Sequence, residues 1–183
     1  MWISITPIPY SFGIKLIRFY SLKEKCLSAP HSSNALIGDS FFSRFEWKHN
    51  DLFKIYFTEW INLGIGDDRV EHLLWRILKG GIPQHLDKLI ISIGSNNFNH
   101  MTPTVITSFI MKAAALLHGK VDHIYICEQF PRENMDTSSE IKQLNKLLEE
   151  LCEKEGYFYI KQDEIFWRGS ISIRITLYRI KCI

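Results

Sequence analysis

Histidine is missing from the stretch of this 183-residue chain that follows His123. That stretch therefore offers no imidazole as a base or a metal ligand. Cysteine is scarce and unpaired in pattern. Cys26, Cys127, Cys152 and Cys182 form no C-x-x-C and no metal-ligand spacing, which argues against a zinc module or a dithiol redox site. A reduced, cytoplasmic setting is expected, with Cys127 and Cys152 buried as small apolar side chains. No apolar run reaches the roughly 18 uncharged residues of a membrane helix, so no membrane span is expected. The first twenty residues are apolar, but Pro7 and Pro9 interrupt them and Lys15 and Arg18 fall inside, which does not fit a signal peptide. One-sided charge is lacking too. The net charge is +2, and the basic residues are dispersed apart from Arg174, Arg179 and Lys181. Neither nucleic acid nor an anionic membrane surface is an expected partner.

What is present is the composition of a globular domain, with 46% hydrophobic and 23% charged residues. Residues 1–33 read as an N-terminal extension and 34–183 as one domain. Short apolar runs are expected as strands at Asn34–Ile37, Trp60–Leu63, Leu89–Ile93, His123–Cys127 and Tyr157–Ile160. Helical spacing alternates with them. Phe41–Phe57 reads as a helix followed by a loop. Val70, Leu73, Leu74, Ile77 and Leu78 share one face of a helix that Gly80-Gly81 stops. Thr102-Pro103 opens another helix. Thr137 and Glu140 stand at capping-box spacing before the last one, which Gly156 ends. This alternation predicts an α/β fold with a parallel sheet, whose chemistry gathers at the carboxyl ends of the strands.

Three polar clusters follow the first three strands: Gly38-Asp39-Ser40, Gly64-Ile-Gly66-Asp67-Asp68 and Gly94-Ser95-Asn96-Asn97. Ser40 at a helix mouth is placed as a nucleophile beside backbone N–H groups that favour negative charge. Asn96 is placed to donate its side-chain N–H to an oxyanion. Taken singly, Ser40 reads as a helix cap and Asn96 as a turn residue. Gly64-x-Gly66 lacks the third glycine of a dinucleotide loop, and no Gly-Lys-Ser/Thr occurs, so no cofactor is expected. Asp67, Asp68 and Glu71 read as first-turn acids that suit a helix dipole rather than as a metal site, and no metal is expected.

Together, Leu36-Ile-Gly-Asp-Ser-Phe41, Asn62-Leu-Gly-Ile-Gly-Asp-Asp-Arg-Val-Glu-His-Leu-Leu-Trp-Arg76 and Ile93-Gly-Ser-Asn-Asn97 resemble the first three blocks of the GDSL/SGNH serine ester hydrolases. The second block is most similar to the branch of the platelet-activating-factor acetylhydrolase catalytic subunits. The resemblance spans about Asn34 to Trp167. It implies a three-layer α/β/α sandwich with a five-stranded parallel sheet in the order 2-1-3-4-5. It also implies hydrolysis of a small-molecule carboxylic ester through an acyl-serine, without metal or cofactor. Ser40 matches the nucleophile, whose backbone N–H also serves the oxyanion hole, and Asn96 matches the side-chain oxyanion donor. Asp67 falls where the family has the glycine that donates a backbone N–H. Gly38, Asp39, Gly66 and Asn97 would line the site.

The resemblance fails near the C-terminus. Asp163 to Tyr178 is similar to the approach to the family's Asp-x-x-His block, but the block and its closing helix are absent. His72 and His100 lie near the second and third blocks and read as surface or helix-face residues. The expectation is therefore an esterase impaired for want of its catalytic His and Asp. The alternatives are a non-catalytic module that binds an acyl ligand or a protein, or a chain cut short of its last block. The face left uncovered is expected to favour self-association.

Overall fold

The computed structural model describes residues 5–11, 13–30, 33–47, 50–130 and 138–161. It is a three-layer sandwich around five parallel strands in the order β2-β1-β3-β4-β5, as expected. The strands are β1 (Ser33–Gly38), β2 (Trp60–Gly64), β3 (Leu86–Ser92), β4 (Val121–Cys127) and β5 (Phe158–Ile160). Alternation along the central strands sends their apolar side chains to both faces. Ala35, Ile37, Leu89, Ile91, Ile124 and Ile126 face one layer, whereas Leu36, Ile90, Tyr125 and Cys127 face the other. Leu36, Leu89 and Ile90 are fully buried, each adding about 1.5–3 kcal/mol of transfer free energy.

The first layer holds α1 (Ile14–Leu27), α4 (Val70–Leu78), α5 (Pro103–Ala115) and α6 (Ser138–Glu155). The second holds α2 (Ser40–Trp47) and α3 (Asn50–Tyr56); Phe42 and Phe45 of α2, with Phe57 just after α3, fill the space under Leu36 and Ile90. The stretch Phe41–Phe57 thus forms two helices rather than a helix and a loop. Helix α5 starts at Pro103, behind Thr102 as cap residue. Helix α4 ends in paired backbone bonds, from Gly81 N–H to Arg76 C=O at 2.8 Å and from Gly80 N–H to Ile77 C=O at 3.2 Å. Gly80 carries the positive φ of 76° that this stop requires. The cap expected at Thr137 and the segment from Asp163 to Tyr178, with the uncovered face inferred from it, lie outside the described residues.

Residues 5–11 and 13–27 pack on the elements that follow. Phe19, Leu22 and Cys26 of α1 join the main core, and Phe19 sits 4.8 Å from Trp75 of α4, centroid to centroid. A Cβ on Gly81 would meet the Phe19 ring at 2.8 Å, so this glycine sets how closely α1 docks. Upstream, Ile8 N–H donates to Glu71 C=O at 3.2 Å, and Tyr10 is buried. Cys26, Cys127 and Cys152 are free and buried. Burial pushes the Cys26 thiol up to about 11 and that of Cys152 to about 12, which keeps both protonated and unreactive at neutral pH.

Candidate active site at the carboxyl rim

Asp39 organises the rim. Its C=O accepts the first helical bond of α2 from Ser43 N–H at 3.1 Å, and its Oδ1 accepts the N–H of Phe41 at 2.9 Å. It is therefore the N-cap of α2. The other carboxylate oxygen, Oδ2, accepts Ser95 Oγ–H at 3.0 Å and Asn96 Nδ2–H at 3.2 Å. Asn96 Nδ2 also donates to Asp68 C=O at 2.7 Å. These bonds tie the loops after β1, β2 and β3 together, with Ser40 partly exposed as the first residue of α2.

Two glycines permit this convergence. A Cβ on Gly38 would lie 1.9 Å from Ser92 C=O, and one on Gly64 would lie 2.4 Å from Ser43 N. No side chain fits at either position while α2 rests on the sheet rim. Asn62 completes the seat, donating to Phe42 C=O at 2.8 Å and accepting Gly64 N–H at 2.9 Å. Gly66 has open space around its Cβ direction, so packing places no demand on it.

At the position of the family glycine, Asp67 takes φ of 52°, and it is the non-glycine residue with positive φ among those described. A side chain there is strained by about 1–2 kcal/mol, less for Asp than for most residues. Asp67 C=O accepts Lys15 Nζ–H at 2.8 Å.

Glu71 stands in the first turn of α4, as expected, but both it and Asp68, which precedes the helix, are buried. Asp68 is fully buried and pairs with Arg76 Nη1 at 2.6 Å, while accepting Tyr10 Oη–H at 2.7 Å. Arg76 Nη2 donates to Leu63 C=O. Burial opposes the Arg76 charge, but Asp68 holds its pKa above the ordinary value. Glu71, also buried, accepts Asn97 Nδ2–H at 2.8 Å and pairs with Arg69 Nε at 3.0 Å. Asn97 Oδ1 in turn accepts Val70 N–H at 3.1 Å. Asn97, predicted to line the site, is fully buried and joins the β3 loop to the start of α4.

His72 is buried rather than on the surface, with Nδ1 facing Asp68 Oδ1 at 3.5 Å. Arg69 stands between two imidazoles: Nη2 is 3.4 Å from His72 Nε2, and Nη1 is 3.2 Å from His100 Nε2. Lys15, Asp67, Arg69, His72, Asn96 and His100 share a cavity of about 890 Å³, walled on its far side by Ile8–Ser11, Gly13 and Ile14. The helix-like spacing of His72 gave no sign of its burial, because the covering segment lies about sixty residues earlier in the chain.

One sequence expectation is overturned. The chain was expected to lack a histidine with aspartate for catalysis, and on that ground to be an impaired esterase or a non-catalytic module. Among the described residues, His85, Asp87 and Asp122 gather with one side-chain ligand atom of each within 4.8 Å of the others, and His85 Nε2 lies 3.4 Å from Asp122 Oδ2. Imidazole and carboxylate are therefore clustered in this molecule. The group could not be read from sequence because it spans β3 and β4, 37 positions apart, and becomes adjacent only through their parallel pairing, Leu86 opposite Val121 and Lys88 opposite His123. It lies where β3 and β4 begin. Ser40 and Asn96 lie beyond the ends of β1 and β3, roughly 20 Å away at 3.3 Å per residue.

No protein-family model matches the chain, and neither does any curated protein. Solved structures do. A GDSL-like lipase from Bacteroides thetaiotaomicron superposes with a TM-score of 0.66 at 18% identity, over 80% of this chain and 77% of its own. A member of the lipolytic G-D-S-L family from Veillonella parvula gives 0.68 at 14% identity, over 82% and 96%. This chain has the GDSL/SGNH hydrolase fold. An acetylxylan esterase from Geobacillus stearothermophilus shares it, with a TM-score of 0.65 at 14% identity over 86% of this chain and 97% of that one. On this fold, the rim tied together by Asp39 is the carboxyl end of the sheet, where open α/β proteins bind their ligands. Among the described residues, no helix is long and apolar enough to cross a membrane.

Proposed function

We propose that the protein is a carboxylic ester hydrolase acting through an acyl-serine at Ser40. The observation that carries this reading is the bonding of Asp39, which brings Asn96 to the helix mouth where Ser40 begins α2. In this reading Ser40 Oγ attacks the ester carbonyl and its proton passes to an imidazole. The carbonyl oxygen gathers negative charge near Asn96 Nδ2 and the backbone N–H groups of Ser40 and Asp67. The C–O bond to the alcohol then breaks, the imidazole returns the proton to the leaving oxygen, and water releases the acid from Ser40 in the same way. We assign the proton acceptor to His72. It shares a cavity wall with Asn96 and has a carboxylate, Asp68, 3.5 Å from its Nδ1; Arg69 Nη2 faces its Nε2 at 3.4 Å and moves aside in this reading, so that Nε2 accepts the proton.

The kinship with the platelet-activating-factor acetylhydrolase branch rests on residues 62–76 alone, and it favours a short acyl chain. The test is hydrolysis of 4-nitrophenyl acetate and butyrate by wild type and Ser40→Ala. Turnover by wild type and its loss by at least about 100-fold in the variant are expected. Equal rates would end the assignment.

A further inference from the structure

The cavity beside Asn96 is lined on one side by positive charge. Lys15 reaches over from α1, and its Nζ donates to the neutral carbonyl of Asp67. Arg69 is fixed from below by Glu71 through Nε, at 3.0 Å, which leaves its two terminal nitrogens directed at imidazole Nε2 atoms. Neither imidazole brings a negative charge into the cavity. The facing negative groups are Asp67, on the cavity wall, and Glu71. Glu71 is 1% exposed, already engaged by Arg69 and Asn97, and 3.8 Å from His100 Nε2. A guanidinium spread between two imidazoles gains an oppositely charged partner when a carboxylate or phosphate oxygen enters, and its planar fork suits such an anion.

We infer that this cavity is an anion subsite, and that the preferred substrate is an ester carrying a carboxylate or phosphate held by Arg69, Lys15 and His100. This rests on the ester-hydrolase reading for the reaction, but not for the binding. Nor is the N-terminal segment incidental to it, since Lys15 and the wall of Ile8–Ser11, Gly13 and Ile14 come from that segment.

Two sets of measurements separate the claims. The first compares kcat/KM for 4-nitrophenyl butyrate with the 4-nitrophenyl half-ester of glutaric acid (anion on the acyl side), and for phenyl acetate with 4-acetoxybenzoate (anion on the leaving group). At least one anionic ester should exceed its neutral partner by about tenfold, carried by KM. That ratio should shrink with added salt and fall severalfold in Lys15→Ala and in His100→Ala. Ratios near one for both pairs in wild type would overturn the inference while leaving the hydrolase reading intact. The second set follows glutarate and inorganic phosphate binding to Ser40→Ala by calorimetry, with no reaction needed. Binding that weakens in Lys15→Ala supports the subsite even if no ester is turned over, and no binding of either anion overturns it. Lys15→Glu, at a half-buried position, guards against a folding artefact: with an unchanged melting temperature it should reverse the preference towards neutral esters.

Discussion

The two rims of the sheet both bring histidine next to aspartate, but they do so differently. At the amino rim, His85 and Asp122 face each other at 3.4 Å with side chains 37% and 53% exposed. Water competes for every contact, and such pairs are worth about 0–1 kcal/mol. At the carboxyl rim, Asp68 is 0% exposed and touches Tyr10 and Arg76, with His72 at ion-pair distance. There each side chain is held by a neighbour that is itself held, as active-site groups require if they are to keep their geometry through a reaction. Proximity of residue types is thus shared by both rims. What differs is burial and support.

The sharpest break in this contrast is kinetic. His72→Gln should lower kcat of ester hydrolysis by about 100-fold or more, the usual share of a general base, while His85→Gln should leave it within about twofold, because about a strand length separates it from Ser40. The reverse pattern in the same assay would move the base to the amino rim. Next in size is stability. Asp68→Asn leaves Arg76 charged and unpaired in the core and should cost about 3–5 kcal/mol in urea unfolding, whereas Asp122→Asn should stay within about 0.5 kcal/mol. Similar losses for the two would show that the carboxyl-rim network is no more than a surface pair. The smallest effect is at the strained turn. Asp67→Gly relieves a positive φ and removes a carboxylate from the oxyanion side, so it should raise stability by up to about 1 kcal/mol and raise kcat. A drop in both would mean that the Asp67 side chain is needed there.

The fold was legible because its signals are local. Leu89-Ile-Ile reads as a strand buried on both faces, and Gly80-Gly81 reads as a helix stop, without knowledge of any other segment. Ser40 and Asn96 were legible because each follows a strand directly. The buried roles of Asp68, Glu71 and Arg76 were not, since they depend on Tyr10 and Leu63 in distant segments and charged residues are rarely so buried. The amino-rim cluster was hidden for the same reason: His85 and Asp122 meet through strand pairing alone. The N-terminal stretch looked unspecified because its apolar residues match a surface made by α4, and nothing within the stretch itself reveals that match.

The docking of α1 against Trp75 and Gly81 has a consequence for how the chain is made. A ribosome adding about 5–20 residues per second would finish Leu27 some 3–10 seconds before Gly81 exists. During that interval Phe19 and Leu22 have no surface of their own to cover them, and they become the segment most in need of a chaperone. The cavity wall supplied by Ile8–Ser11, Gly13 and Ile14 is accordingly made well before the helix that seats it.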